Sequence, residues 1–148
     1  MKQFKHLGAY GLIIKDEKIV LIKKVGGPYN GKLDLPGGTI EWGETPEQTL
    51  IRELNEEVGI DVIKYELFDA NSIVFEWIHK EELESGHHLG IFYKVLDYNN
   101  ELLEDIKIDE KNDDSLGAKF YEIGKLKKSE LSDIANLEIE KLGYKLED

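Results

Sequence analysis

The chain has no cysteine, three prolines, one methionine and one arginine in 148 residues. The missing cysteine removes disulfides, thiolate metal sites and cysteine nucleophiles together. No apolar run approaches the roughly 20 residues that a membrane span needs. The N-terminal MKQFKHLGAYGLIIKDEK carries some positive charge, but its apolar run is short and breaks at Lys15. That argues against a signal peptide and makes a cytoplasmic location the expectation. Positive charge is also scarce: 19 lysines and arginines face 31 aspartates and glutamates, for a net charge of −12. A broad basic face for stable nucleic-acid binding is therefore not expected. A small phosphorylated ligand remains compatible with this charge, because a divalent cation can mediate the contact.

The composition, 41% hydrophobic and 34% charged, reads as globular. The length suits a single domain over residues 1–148. GAYGLIIKDEKIVLIKK predicts a hairpin turning at Lys15–Lys18. VGGPYNGKLDLPGGTIEWGE follows, turn-rich, with six glycines between Val25 and Glu44. A helix is then expected over 46–58. Thr45 is a suitable N-cap, Pro46 suits the first helical position, Gln48 completes a capping box and Gly59 is the stop. Strands are expected at Val62–Phe68, Ile73–His79 and Leu89–Asp97, with a short one at Lys119–Ile123. An acidic loop over 99–114 and a C-terminal helix over Lys128–Leu142 complete the reading. Interleaved strands and two helices predict an α/β (α+β) sandwich around a mixed sheet.

The lone arginine, Arg52, sits beside Glu53, Glu56 and Glu57 in RELNEEVG. On a helix, Leu50, Ile51, Leu54 and Val58 gather on the side expected to face a core. The three glutamates gather on a neighbouring side, because i, i+3 and i+4 stack. Like charges at that spacing cost about 0.2–0.5 kcal/mol per pair. A hard divalent cation offsets such repulsion, since carboxylate oxygens are preferred ligands of Mg²⁺ and Mn²⁺. Arginine adds a planar fork that holds a carboxylate through two parallel hydrogen bonds, which lysine cannot do. Taken alone, ELNEE also reads as a solvated helix face. Upstream, Gly37 and Gly38 turn the chain and bare backbone N–H groups, and Glu41 and Glu44 bring two more carboxylates to the helix mouth.

Together these residues resemble a specific family. Residues 38–60, GTIEWGETPEQTLIRELNEEVGI, match the signature of the Nudix hydrolases, of the MutT-like kind. Gly38, Glu44, Arg52, Glu53, Leu54, Glu56, Glu57, Gly59 and Ile60 fill all nine of its specified positions. One departure is Leu33, where the family often has tryptophan. The resemblance implies an α/β/α sandwich with a central mixed sheet and Mg²⁺- or Mn²⁺-dependent hydrolysis of a nucleoside diphosphate linked to another group. It implies Glu56 and Glu57 as principal metal ligands, with Glu53 as a further ligand or the base, and Gly38 contributing its backbone. Arg52 would hold the box carboxylates with Glu44 as its partner, and Gly37 and Gly38 would approach the metal or a phosphate oxygen. An additional acid is expected at Asp113 or Asp114, counted back from Phe120.

The substrate expected is a free nucleoside triphosphate, damaged ones included. The alternatives are ADP-ribose, a nucleotide sugar or a dinucleotide, or a non-catalytic sensor. The isomerase branch of the fold uses a cysteine that this chain lacks. Tyr29, Trp42, Phe75 and Trp77 are candidates for stacking on a base. Lys23 and Lys24 are candidates for phosphate, and at most one of His87 and His88 can face a ligand, since strand neighbours point to opposite faces. The chain is expected to act as a monomer or homodimer.

Overall fold

The computed structural model describes residues 1–100 and 115–148. Among the described residues, eight strands form two four-stranded sheets. The first takes the order β5 (Gly37–Thr39), β1 (Lys2–Leu12), β7 (Glu82–Asn99) and β6 (Asp61–His79). It is mixed: β1 and β7 run parallel from Lys2↔Glu84 to Leu12↔Lys94, and the other pairs are antiparallel. The second is antiparallel, with β2 (Ile14–Lys15) and β4 (Leu33–Asp34) on β3 (Lys18–Lys24), and β8 (Ser115–Glu122) also paired to β3. Helices α1 (Pro46–Glu53) and α2 (Asp133–Lys141) cover separate apolar clusters, giving the expected sandwich.

The hairpin at Lys15–Lys18 turns through Asp16 and Glu17, both at positive φ. Two consecutive left-handed residues match the twist of the flanking strands. Lys80 and Glu81 do the same between β6 and β7. The capping box at Thr45 and Gln48 is present, and Gly59 stops the helical segment at φ 84°.

Several boundaries depart from the sequence reading. The expected strands 62–68 and 73–79 are one strand, β6, and 89–97 extends to Glu82–Asn99. The intervening Asp69-Ala70-Asn71-Ser72, outside both expected strands, is held extended by pairing with an unbroken β7, and the register shifts at Leu67/Asp69. The C-terminal helix begins only at Asp133. Ser132 caps it by accepting from Ala135 N, while Leu131 bridges back to Leu33. The last strand starts at Ser115 rather than Lys119. Along the helical segment 46–58, Leu50 and Leu54 are fully buried, but Ile51 is 41% exposed and Thr49 takes its place inside. Thr49 is wanted there because its hydroxyl serves Glu44, as described below.

One buried contact between α2 and β6 carries a charge imbalance. Glu138 is fully buried. Asp69 and Asn71 face it from β6. Lys141, one turn on along α2, bonds Asp69 Oδ1 at 2.5 Å. Two carboxyls share one ammonium, and burial with the neighbouring Asp69 pushes Glu138 up to about 8. The folded state thus keeps a proton that the unfolded chain releases above about 4.5. Stability should be fullest below that value and fall as pH rises towards 8, by up to roughly 1.4 kcal/mol per pH unit. Glu138→Gln preserves shape without titrating, so its urea midpoint should stay level across this range while that of the wild type declines. Parallel decline of both would show that another group is responsible.

Candidate active site

The site is built where β5 and the loop after it meet α1. Arg52 spends all three guanidinium nitrogens. Nε donates to Glu44 Oε2 at 2.8 Å and Nη2 to Glu44 Oε1 at 2.9 Å, the two-pronged grip that its planar fork allows. Nη1 donates to Glu53 Oε1 at 2.8 Å and Glu56 Oε2 at 3.3 Å, and Nη2 also reaches the Thr39 carbonyl at 3.2 Å. Glu44 Oε1 accepts further from buried Thr49 Oγ1 at 2.8 Å and from Glu41 N at 3.0 Å. The Arg52 hydrogen bonds, reinforced by the Glu41 N–H, hold the Glu44 carboxyl down to about 2. The same partners keep Arg52 charged.

Glycine brings the backbone against the carboxylates. Gly37 lies at φ 143°, and a Cβ there would stand 2.2 Å from the Ala9 carbonyl oxygen. Its N–H donates to Glu57 Oε1 at 2.9 Å. A Cβ on Gly38 would lie 2.7 Å from the Glu53 carboxyl carbon. The ladder Gly8↔Thr39, Ala9↔Gly38, Tyr10↔Gly37 pins both glycines to β1. Downstream of Glu53 the helix widens over Leu54–Val58, with Gly59 N reaching back to Leu54 O at 3.0 Å. Such wide turns occur often at functional sites. Leu54 and Val58 remain buried, and Glu56 and Glu57 stay on the open side.

A cavity of about 630 Å³ runs from Glu41, Arg52, Glu53, Glu56 and Glu57, past Gly37 and Gly38, to Phe4, Tyr29 and Phe75. Phe75 packs edge-on against Phe4 at 5.8 Å and meets Tyr29 at 5.5 Å. Between the two ends His88 is hydrogen-bonded through Nε2 to the Tyr10 hydroxyl at 2.6 Å and stacks on His6 at 4.5 Å. Burial first, then His6 and Lys24, lowers His88 to about 3, so it stays neutral. His6 Nε2 in turn bonds Thr39 Oγ1 at 2.7 Å.

The structure thus brings Arg52, Glu44, Glu53, Glu56, Glu57, Gly37 and Gly38 together. Of the weaker candidates, Tyr29, Phe75, Lys24 and His88 line the cavity; Trp42 is fully exposed, and Trp77 stacks on His79. Asp113 and Asp114 lie outside the described residues. Phe4, His6 and Tyr10 were missed by the sequence reading. Their alternation along β1 was the available signal, since residues two apart share a face. Among the described residues, no group of three acidic or histidine side chains stands close enough to hold an ion. The donor set still fits a hard cation in its chemistry. Glu53, Glu56 and Glu57 supply carboxylate oxygens on one cavity wall, and the side-chain-free Gly38 backbone lies against one of them.

Because Glu44 is held below its ordinary value, its contribution is present above about pH 4.5 and is lost as pH falls towards 2. Arg52→Lys keeps the charge but not the fork. Its melting temperature should fall by several degrees near neutrality, and its acid unfolding should begin at higher pH than in the wild type. Thermal melts between pH 2 and pH 5 check this. Coincident curves would deny the fork its role.

This chain is similar to several known proteins. It is 31% identical over 118 residues to an ADP-ribose pyrophosphatase of Methanocaldococcus jannaschii, a match covering 80% of this chain and 62% of that protein. It is 32% identical over 104 residues to an 8-oxo-dGTP diphosphatase of Proteus vulgaris, covering 70% and 86%. The fold is similar to that of a MutT NUDIX hydrolase from Burkholderia pseudomallei, with a TM-score of 0.71 at 24% identity over 94% of this chain and 98% of the other. The NUDIX domain family model matches residues 5–137, nearly the whole length and the whole carboxylate wall of the site. The chain therefore belongs to the NUDIX family.

Proposed function

We propose that this protein is a Mg²⁺- or Mn²⁺-dependent pyrophosphohydrolase of small nucleotides, with a free nucleoside triphosphate, damaged bases included, as its preferred substrate in the cytoplasm. The observation that carries the reading is the single cavity joining a carboxylate wall to an aromatic end. A nucleotide has that same division, with an anionic phosphate chain at one end and a planar base at the other. A second reading, ADP-ribose, a nucleotide sugar or a dinucleotide, is favoured by the archaeal relative's name. A non-catalytic sensor is disfavoured because no box carboxylate is missing.

In this reading Glu56 and Glu57, with Glu53 and the Gly38 backbone, hold the cation. When bound, the cation neutralises phosphate charge and lowers the pKa of water. The residues of the chain do the remaining work. Arg52 fixes the position of Glu53 through Nη1, and the Gly37 N–H fixes Glu57. In this reading Glu53, or an acid outside the box at Asp113 or Asp114, takes the proton of the attacking water, whose oxygen bonds to phosphorus as the bridging P–O bond breaks and the displaced phosphate oxygen leaves with the electron pair. Phe75 and Tyr29 offer the base a face, and neutral His88 adds no charge at mid-cavity.

Glu57→Gln should lower turnover by two orders of magnitude or more while leaving the melting temperature within a few degrees. Near-full activity in that variant would remove Glu57 from the site. Chelation should abolish turnover and added Mg²⁺ restore it. Because the ligands must be ionised, activity should also decline in acid. Nucleoside triphosphates, ADP-ribose, nucleotide sugars and dinucleotides assayed side by side decide between the two substrate readings. Tight binding of one compound with no turnover of any would favour the sensor.

A further inference from the structure

Strand register arranges the cavity side of the mixed sheet in rows. Phe4 of β1, Gly86 of β7 and Phe75 of β6 pair across three strands, and His6, His88 and Ile73 form the next row. Residues two apart on a strand share a face, and Phe4, His6, Tyr10, Phe75 and His88 all line the cavity. Between the imidazole row and Tyr10 comes Gly8, paired with Gly90. A Cβ on Gly8 would overlap the Tyr10 hydroxyl. Its absence lets Tyr10, which stands opposite Gly37 at the carboxylate end, fold back to His88 Nε2 at 2.6 Å. At about 3.3 Å per residue, the imidazole row lies roughly 7 Å along the sheet from the aromatic row and roughly 13 Å from the level of Gly37.

His88 is held from two directions. Tyr10 fixes its ring through Nε2, and His6, itself bonded to Thr39, lies against its face at 27°. The residue is only 4% exposed, yet its Nδ1 has no hydrogen-bond partner among the described residues. Buried polar atoms are paired as a rule, because leaving one unpaired is costly. A fixed nitrogen without a protein partner on a cavity wall therefore points to a ligand. Burial keeps the ring neutral, so Nδ1 offers a hydrogen bond without a charge that would draw in the phosphate chain. Nε2 can accept from the Tyr10 hydroxyl or donate to it, which leaves Nδ1 as donor or acceptor, and a hydroxyl answers either.

We propose that His88 Nδ1 binds a hydroxyl of the substrate's sugar, which makes His88 the residue that separates ribonucleotides from their deoxy counterparts. The proposal rests on the reading that the cavity takes a nucleotide. Phosphates at the carboxylate wall and a base at the Phe75 end leave the sugar, which joins them, at the imidazole row in between. The aromatic row meets the base with ring carbons, and the phosphates lie two rows away from His88 in the other direction. The sugar is the part of the substrate within reach of Nδ1.

Ribo-, 2′-deoxy- and 3′-deoxynucleoside triphosphates of one base, assayed with Mg²⁺, test it. One deoxy form should show kcat/KM about tenfold or more below the ribo form, chiefly through KM. His88→Gln sets an amide where Nε2 stood, keeping a partner for Tyr10, but leaves nothing at Nδ1, and it should make the sugars equivalent. The matching monophosphates, titrated by calorimetry, read the same contact without turnover. Their discrimination with no turnover of any triphosphate would remove the hydrolase reading and leave this proposal standing. Turnover equal for all the sugars would leave the hydrolase reading standing and overturn the proposal, as would a difference that His88→Gln retains. Binding of no nucleotide overturns both. Should His88→Gln fail to fold, the nitrogen NMR resonance of His88 Nδ1 in the unaltered protein decides. It should shift with the ribonucleotide and not with the weaker deoxy form, and equal shifts overturn the proposal.

Discussion

The arrangement of the site depends on one guanidinium. Glu44, Glu53 and Glu56 lie within 3.3 Å of Arg52 nitrogens, and without that cation their mutual repulsion would splay the helix mouth. Arg52 also ties separate pieces of chain together: the loop at Glu44, the strand at Thr39 and the helix itself. A lysine ammonium has one nitrogen and cannot serve these directions at fixed angles. The grip on Glu44 is doubled from behind by Thr49, which explains a polar residue fully buried in α1.

The carboxylates can stand where they do only because the backbone opposite them has no side chains. Gly37 passes so close to β1 that any Cβ would collide with the Ala9 carbonyl, and Gly38 lies against the Glu53 carboxyl. The mixed sheet therefore sets the distance between β5 and α1. Two apolar clusters hold that spacing. One, around Leu50, Leu54 and Val58, seats α1; the other, around Ile134 and Ile139, seats α2. Fully burying each such side chain contributes about 1.5–3 kcal/mol before entropy is counted.

Much of this was legible from local rules. Thr45, Pro46, Gln48 and Gly59 mark their helical segment because caps and stops depend on neighbours a few residues away. The Arg52–Glu44 pair was readable from the box. Other features were not, because they are settled by distant partners. Asp69–Ser72 falls outside the two expected strands yet is strand, since β7 pairs along it without interruption. Ile51 looks like core yet is exposed, because Thr49 is recruited inward by Glu44. The widening after Glu53 left no mark in the periodicity, and Phe4 and His6 precede the hairpin expected from Gly8, although β1 begins at Lys2.

By itself the sequence determined the chemistry: which carboxylates, which single fork, which glycines, and that cysteine has no part. Residue type and short spacing decide those, and both are local. The tertiary structure decided the company those groups keep. It set His88 beside Tyr10, Phe75 beside Tyr29, and Glu138 beside Asp69, pairs separated by 46 to 78 positions along the chain. Such contacts arise from sheet register and layer packing, where many weak apolar interactions choose a partner that no local pattern specifies.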